Sequence, residues 1–289
     1  MIINHNISAI NTHRQLGANT NAVSKNLEKL SSGLKINRAG DDAAGLAISE
    51  KMRAQVRGLE MATKNAQDGI SLIQTAEGAL QETHSILQRG RELAVQSAND
   101  TNITANDRQA MQEELNALLE EINEIADRTE FNTQKLIDGT FTGKKFHIGA
   151  SEGQSIDIDI DAMDLDSLGL DELVLEELEH ATGEEDGTVA GGILTQEAAD
   201  EAITTFDDAI NQVSAQRAKL GAIQNRLEHT INNLGASAEN LTAAESRIRD
   251  TDMAKEMMEF TKNNILTQSA QAMLAQANQV PQGVLQLLR

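Results

Sequence analysis

Seven-residue periodicity constrains this chain more than any other property. Phe206, Val213, Leu220, Leu227, Leu234, Leu241 and Ile248 recur every seventh position, with Ile210, Arg217, Gln224, Ile231, Ala238 and Glu245 interleaved. Alternating spacings of four and three place both sets on one seam of a helix, as in a coiled coil. A second run behaves likewise: Met52, Leu59, Ala66, Ile73, Leu80, Leu87 and Ala94, interleaved with Val56, Thr63, Ile70, Glu77, His84 and Arg91. A helix from about 42 to 98 would be roughly 85 Å long at 1.5 Å per residue, a length that no compact globule accommodates. Aromatic residues make up only 2% of the chain, too few for one thick core built on large rings. The fold expected is mainly α, a long antiparallel helical bundle.

A third, shorter run is Met111, Leu115, Leu118, Ile122 and Ile125, set off by Asn99-Asp100-Thr101-Asn102. A loop of that size makes the second and third helices antiparallel neighbours. The seams also carry Glu77, Arg91, Arg217 and Glu245, which fits a bundle that shares its surface with neighbours better than an isolated two-stranded rod. Two further helices are readable at the ends. One spans about 7 to 32, with Ile7, Ile10, Leu16, Val23, Leu27 and Leu30, and stops at Gly33. The other spans about 252 to 287, with Leu266, Ala270, Met273, Ala277, Val280, Val284 and Leu287 on one face. The connector KINRAGDDAAG, residues 35–45, offers Asp41 or Asp42 as the cap of the second helix.

The middle follows another period. Residues 139–148 and 154–161, separated by the turn GASEG, read as a β-hairpin near 139–161. Ile156, Ile158 and Ile160 share one face, and Asp157, Asp159 and Asp161 the other. An acidic, glycine-punctuated stretch near 162–195 follows, expected as a short tip without a core of its own.

Charge is unevenly spread. The net charge is -21, yet residues 146–216 hold 19 acids and no Lys or Arg, which leaves the flanks together at only -2. Such a balance disfavours nucleic acid and anionic membrane surfaces as partners. Residues 263–288 are uncharged but rich in Gln and Asn, too polar to enter hydrocarbon and suited either to packing against protein or to a disordered tail. The N-terminus lacks the basic and apolar regions of a cleaved signal peptide. With no cysteine, disulfides, thiolate catalysis and Cys-ligated metals are excluded.

Three strings imitate catalytic or metal motifs. Gly149-Ala-Ser-Glu-Gly153 matches a nucleophile elbow, but that motif joins a strand to a helix, and here it joins two strands, so Ser151 is a turn residue. Asp157, Asp159 and Asp161 open like a calcium loop, yet Ala162 and Leu168 stand where Gly and Glu are needed; a solvated strand face is the simpler reading. Glu177-Leu-Glu-His180 lacks the second Glu-x-x-His unit of a di-iron bundle. No catalytic residue, cofactor or metal site is expected, and the residues alone point to a helical assembly protein whose amide-rich ends pair with each other and with copies. A monomeric secreted adhesin or immune ligand is the alternative, and a metal-dependent bundle enzyme a more distant one.

Specific strings then carry a resemblance. MIINHNISAI at the N-terminus, NLEKLSSGLKINRAGDDAAGLAISEKMRAQVRG over 26–58, and RLEHTINNLGASAENLTAAESRIRDTDMA and NNILTQSAQAMLAQANQVPQGVLQLLR near the C-terminus resemble bacterial flagellins, the subunits of the flagellar filament. The likeness covers nearly everything outside about 150–195, and the short middle implies that large outer domains are missing. The resemblance implies an inner helical layer of 1–40 and 251–289 and an outer layer of 41–250. It also implies terminal arms that order on assembly, and export through the flagellar secretion channel to an extracellular filament. Implied partners are copies of itself, an export chaperone for the C-terminal arm, and cap and junction proteins. The vertebrate innate receptor for flagellin is implied too, with contacts at Arg89, Leu93, Gln96 and Glu113. Arg89, Leu93 and Gln96 are spaced to share a helix face. Gly90 stands mid-helix where members of that family usually carry a larger apolar residue, at a cost of about 1 kcal/mol relative to Ala.

Overall fold

The structure of the protein, a computed structural model, describes residues 6–101, 104–175 and 192–287, with side chains to residue 279. Five helices dominate: α1 (Ile7–Ser32), α2 (Ala43–Ser97), α3 (Ala105–Arg128), α4 (Gln196–Arg249) and α5 (Met253–Leu287). Their ends follow from local chemistry. Asn6 caps α1 by accepting the Ala9 N–H at 3.1 Å, and Gly33 ends it in the left-handed region at φ 72°, where glycine carries no Cβ penalty. Asp42 accepts the Gly45 N–H at 2.9 Å and starts α2, whereas Asp41 folds the connector by accepting the N–H groups of Asn37 and Arg38. Thr104 and Asp107 form a reciprocal capping box on α3.

Both aspartates titrate below the ordinary 3.8. Asp41 is held down by the backbone N–H groups of Arg38 and Asn37, and Asp107 by the backbone N–H and then the hydroxyl of Thr104. A depressed carboxylate contributes stability above its unfolded pKa and loses it as pH falls through the folded value. Melting temperature should therefore decline on acidification below the usual carboxylate range. Asp107→Asn should melt lower at neutral pH and show a shallower acid decline, as thermal scans across pH would read directly.

Tertiary contacts divide the chain into two units, residues 1–57 with 238–289, and 58–237. The expected inner-layer segments, 1–40 and 251–289, fall within the first. In that unit α1 packs along α5, antiparallel, since Asn6 donates to the Ala277 carbonyl at 2.7 Å while Asn26 lies against Glu256 and Phe260. The two connecting segments also pair. Lys35 N–H donates to the Arg249 carbonyl and Thr251 N–H to the Gly33 carbonyl, across a bridge of Leu34 with Asp250. Arg53 with Glu245 at 3.0 Å and Arg249 with Glu50 at 2.8 Å join the adjoining ends of α2 and α4.

The second unit holds the main core. Ile73, Leu80 and Leu87 of α2, Leu115, Leu119 and Ile122 of α3, and Phe206, Val213, Leu220 and Leu227 of α4 are fully buried there, and Leu234 nearly so. At the other end of these runs Met52, Leu59, Leu241 and Ile248 are only half-buried. The charged seam positions pair across the helices of the bundle. Arg91 bonds Asp207 at 2.5 Å, and Arg217 lies 3.9 Å from Glu77 and donates to Gln81. Opposite charges meet across α2 and α4, worth under about 1 kcal/mol per half-exposed pair and favouring one antiparallel register.

Two small hairpins follow α3. β1 (Glu130–Phe131) pairs with β2 (Gln134–Lys135) around Asn132 and Thr133, both at positive φ. β3 (Lys144–His147) pairs with β4 (Ser155–Ile158), Phe146 opposite Ile156. Alternation holds as read: Ile156, Ile158 and Ile160 are buried and Asp157 is exposed. Gly58, Asn65 and Gly69, on one face of α2 by their spacing, receive this hairpin. Ala150 lies against Gly58, Asn65 donates to the His147 carbonyl, and the Phe146 ring covers Gly69. The stretch after it is less detached than its acidity suggests. Met163, Leu168, Leu170, Leu173 and Ile193 join the main core, because apolar residues between the acids outweigh the solvation of the exposed carboxylates.

Candidate functional site

Many large apolar side chains of the first unit remain exposed. Along α1 the positions turned toward α5 are Ala9, Thr12, Leu16, Asn19, Val23, Asn26 and Leu30; along α5 they are Glu256, Phe260, Asn263, Thr267, Ala270, Leu274 and Ala277. Each set repeats at threes and fours, yet both are dominated by small or polar residues. Ile7 (64% exposed), Ile10 (60%) and Leu27 on α1 lie outside this seam, as do Met253, Met257, Met258 (67%), Ile265, Leu266 and Met273 on α5. Helical phase puts Met258 and Ile265 on the side of α5 away from α1. Soluble monomers rarely expose so much contiguous apolar surface unless it has a partner.

A buried polar cluster fixes how the two helices meet. With its amide turned to suit its neighbours, Asn26 donates to Glu256 Oε1 and the Ala22 carbonyl, both at 3.1 Å. It accepts from the Phe260 N–H at 3.2 Å and from Asn263 Nδ2 at 3.1 Å. Such a cluster adds little stability but penalises any shifted pairing, which would strand a buried carboxylate. The apolar face expected on α5 is only partly buried: Ala270 and Ala277 lie in the seam, at 8% exposure each, while Leu266 and Met273 at its edge are exposed. The expected terminal residues Leu16 and Val23 are half-buried on the α1 side. The side chains of Val280, Val284 and Leu287 lie outside the described residues.

On the second unit, Arg89 lies at the surface of α2, its guanidinium bonded to Glu114 of α3 at 2.8 Å and to Glu92 at 3.3 Å. Glu114 first, and then Glu92, raise its pKa above the ordinary value, so it stays cationic. Gln96 and Glu113 are exposed. Leu93 is not: at 1% exposure it belongs to the core between α2 and α3, so the three α2 residues do not share one open face. A four-and-three stripe at the rim of a bundle straddles core and solvent. Sequence reasoning also misjudged Gly90. A Cβ there would lie 2.8 Å from Phe206 Cε1 and 3.3 Å from Leu115 Cδ1; the absent side chain is the space that the buried Phe206 ring occupies.

The catalytic look-alikes have structural roles. Ser151 sits in the hairpin turn, its N–H bonded to Gln154 Oε1. Asp159 accepts the Gly143 N–H and Asp161 lies 3.5 Å from Lys219 Nζ, so the aspartates serve separate contacts. Glu177 and His180 lie outside the described residues. Among the described residues no three metal-binding side chains converge, and no helix is long and apolar enough to cross a membrane.

Residues 3–142 match the bacterial flagellin N-terminal helical region, and residues 203–288 match the C-terminal helical region. The chain belongs to the bacterial flagellin family. It is 61% identical to a flagellin of Bacillus subtilis (strain 168) and 58% identical to one of Halalkalibacterium halodurans, over all of this chain and all of each relative. A solved Bacillus cereus flagellin is 33% identical, covering 63% of this chain and 94% of that one, with a TM-score of 0.47. The protein is thus a structural flagellin subunit of the extracellular filament, not an enzyme.

Proposed function

We propose that the outward faces of α1 and α5 are the surfaces by which copies of this flagellin join the filament. In this reading residues 1–40 and 251–289 form its inner layer and 41–250 its outer layer. One observation carries this: Ile7, Ile10 and Leu27 of α1 and Met253, Met257, Met258, Ile265, Leu266 and Met273 of α5 are exposed, while the larger apolar residues of the seam, Leu16, Val23, Leu30, Phe260 and Leu274, are only half-buried. A seam whose larger apolar residues stay half-exposed buries little apolar area to set against the entropy of ordering two long helices. The arms are therefore stable only when neighbours cover Ile10, Met258 and Ile265. Removing 251–289 should abolish elongation from filament seeds, read by pelleting, while α2, α3 and α4 keep their helical signal. Normal elongation of the truncated chain would defeat the assignment.

The same exposed face gives an export chaperone a reason to hold the C-terminal arm before secretion through the flagellar channel, and gives cap and junction proteins a surface that mimics a neighbouring subunit. The free subunit is also the form read by the vertebrate flagellin receptor, through Arg89, Gln96 and Glu113, with Leu93 supporting them from the core. Arg89→Ala with Gln96→Ala is the suitable test. Receptor signalling should fall while filaments still form, whereas Leu93→Ala would open a cavity costing roughly 2–5 kcal/mol and confuse recognition with stability. Unchanged signalling by the double variant would remove this site.

A further inference from the structure

Four of the nine methionines fall within 21 residues of α5, at 253, 257, 258 and 273. All four are about half exposed or more, as is Met61 on α2, which stands alone there, while Met111 (7%) and Met163 (4%) are sealed in the core of the second unit. None of the four sits in the α1 seam, whose residues are Glu256, Phe260, Asn263, Thr267, Ala270, Leu274 and Ala277. Methionine suits a face that must fit more than one partner, because its unbranched, polarisable side chain repacks readily. It is also the only side chain of this cysteine-free chain whose sulfur an oxidant can reach.

We infer that Met253, Met257, Met258 and Met273 are an oxidation site that controls incorporation of the free subunit. The oxidant is a peroxide. One oxygen atom passes from hydrogen peroxide to the thioether sulfur, which loses two electrons and becomes a sulfoxide; the peroxide is reduced to water. No bond of the chain breaks. The sulfoxide is polar and chiral, so a side chain that has to be buried against a neighbouring copy brings an oxygen with no partner into the contact. Methionines inside a finished contact are shielded, so the free subunit is the sensitive species. Enzymatic reduction of the sulfoxides returns the original face.

This inference rests on the proposal that the outward face of α5 is an assembly surface, and the experiment separates the two. Full-length protein is treated with hydrogen peroxide, oxygen uptake is assigned to individual methionines by peptide mass spectrometry, and elongation is followed from untreated seeds. The four α5 methionines should oxidise before Met111 and Met163, and elongation should slow by on the order of tenfold. Methionine sulfoxide reductase should restore it. The M253L/M257L/M258L/M273L variant, which keeps apolar volume, should elongate equally with and without peroxide. Undiminished elongation of protein carrying all four sulfoxides, or equal loss in the leucine variant, would overturn the inference. If untreated Met258→Asp is blocked while the oxidised protein elongates normally, the assembly surface stands and the oxidation site falls. If Met258→Asp also elongates normally, the surface itself is wrong.

Discussion

Met258→Asp combined with Ile265→Asp should leave the free protein soluble and as helical as before, yet reduce elongation from seeds below detection. Both positions face away from α1, and Met258 is 67% exposed, so the free chain loses almost no packing. In the assembled state each carboxylate would be taken from water without a partner, which costs several kcal/mol per ion. Two such penalties exceed the 1.4 kcal/mol that corresponds to a tenfold change many times over, so the effect is close to all-or-none. Sedimentation with seeds, alongside circular dichroism of the unassembled protein, distinguishes loss of association from loss of folding. Normal pelleting would show that this side of α5 is not what neighbouring copies cover.

The second large effect concerns the interior. Phe206 is fully buried and its ring fills the space over Gly90. Phe206→Ala should destabilise the second unit by about 3–5 kcal/mol through cavity formation. Gly90→Leu should destabilise as well, by about 1–3 kcal/mol of overpacking, offset by no more than about 1 kcal/mol of improved helix propensity. Combined, the new leucine occupies the hole left by the ring. The double variant should therefore be more stable than the sum of the two losses, by roughly 1–3 kcal/mol in a double-mutant cycle. Additive losses in thermal or denaturant unfolding would mean that Gly90 and Phe206 do not share this space.

Much of the backbone was legible because its signals are local and agree with one another. The heptads, Gly33, Asp42 and the Asn99–Asn102 break mark helices that the structure bounds within a few residues, and period two in 156–160 marks the buried edge of the hairpin. What the sequence did not disclose depends on partners distant in the chain. Glu77, Arg91, Arg217 and Glu245 look like flaws in a seam until the opposite helix is present to pair them. Gly90 looks like a weak point until Phe206, 116 residues later, is seen to need its space. The hairpin at Asn132 and Thr133 lacks the glycine that usually announces such a turn.

The assembly surface was legible in kind but not in direction. Apolar periodicity on α5 suggested one inward face, because the usual rule sends large apolar residues into the molecule that owns them. Here Ala270, Ala277, Asn26 and Glu256 lie inside beside half-buried Leu16, Phe260 and Leu274, and Met258, Ile265 and Ile10 lie outside. Exposed apolar residues in that arrangement are what the proposed assembly surface requires. Leu93 illustrates the opposite error: its motif suggested a surface, and the rim of the bundle buries it.

Because the chain has no cysteine, a single introduced thiol reports on one position without interference. Ile265→Cys should react readily with a maleimide in the unassembled protein and be protected by at least about tenfold once the variant is incorporated into filaments, since buried thiols are shielded from reagents. Equal labelling in both states would mean that no neighbouring subunit covers this face of α5, and would contradict the assembly surface proposed for the terminal helices.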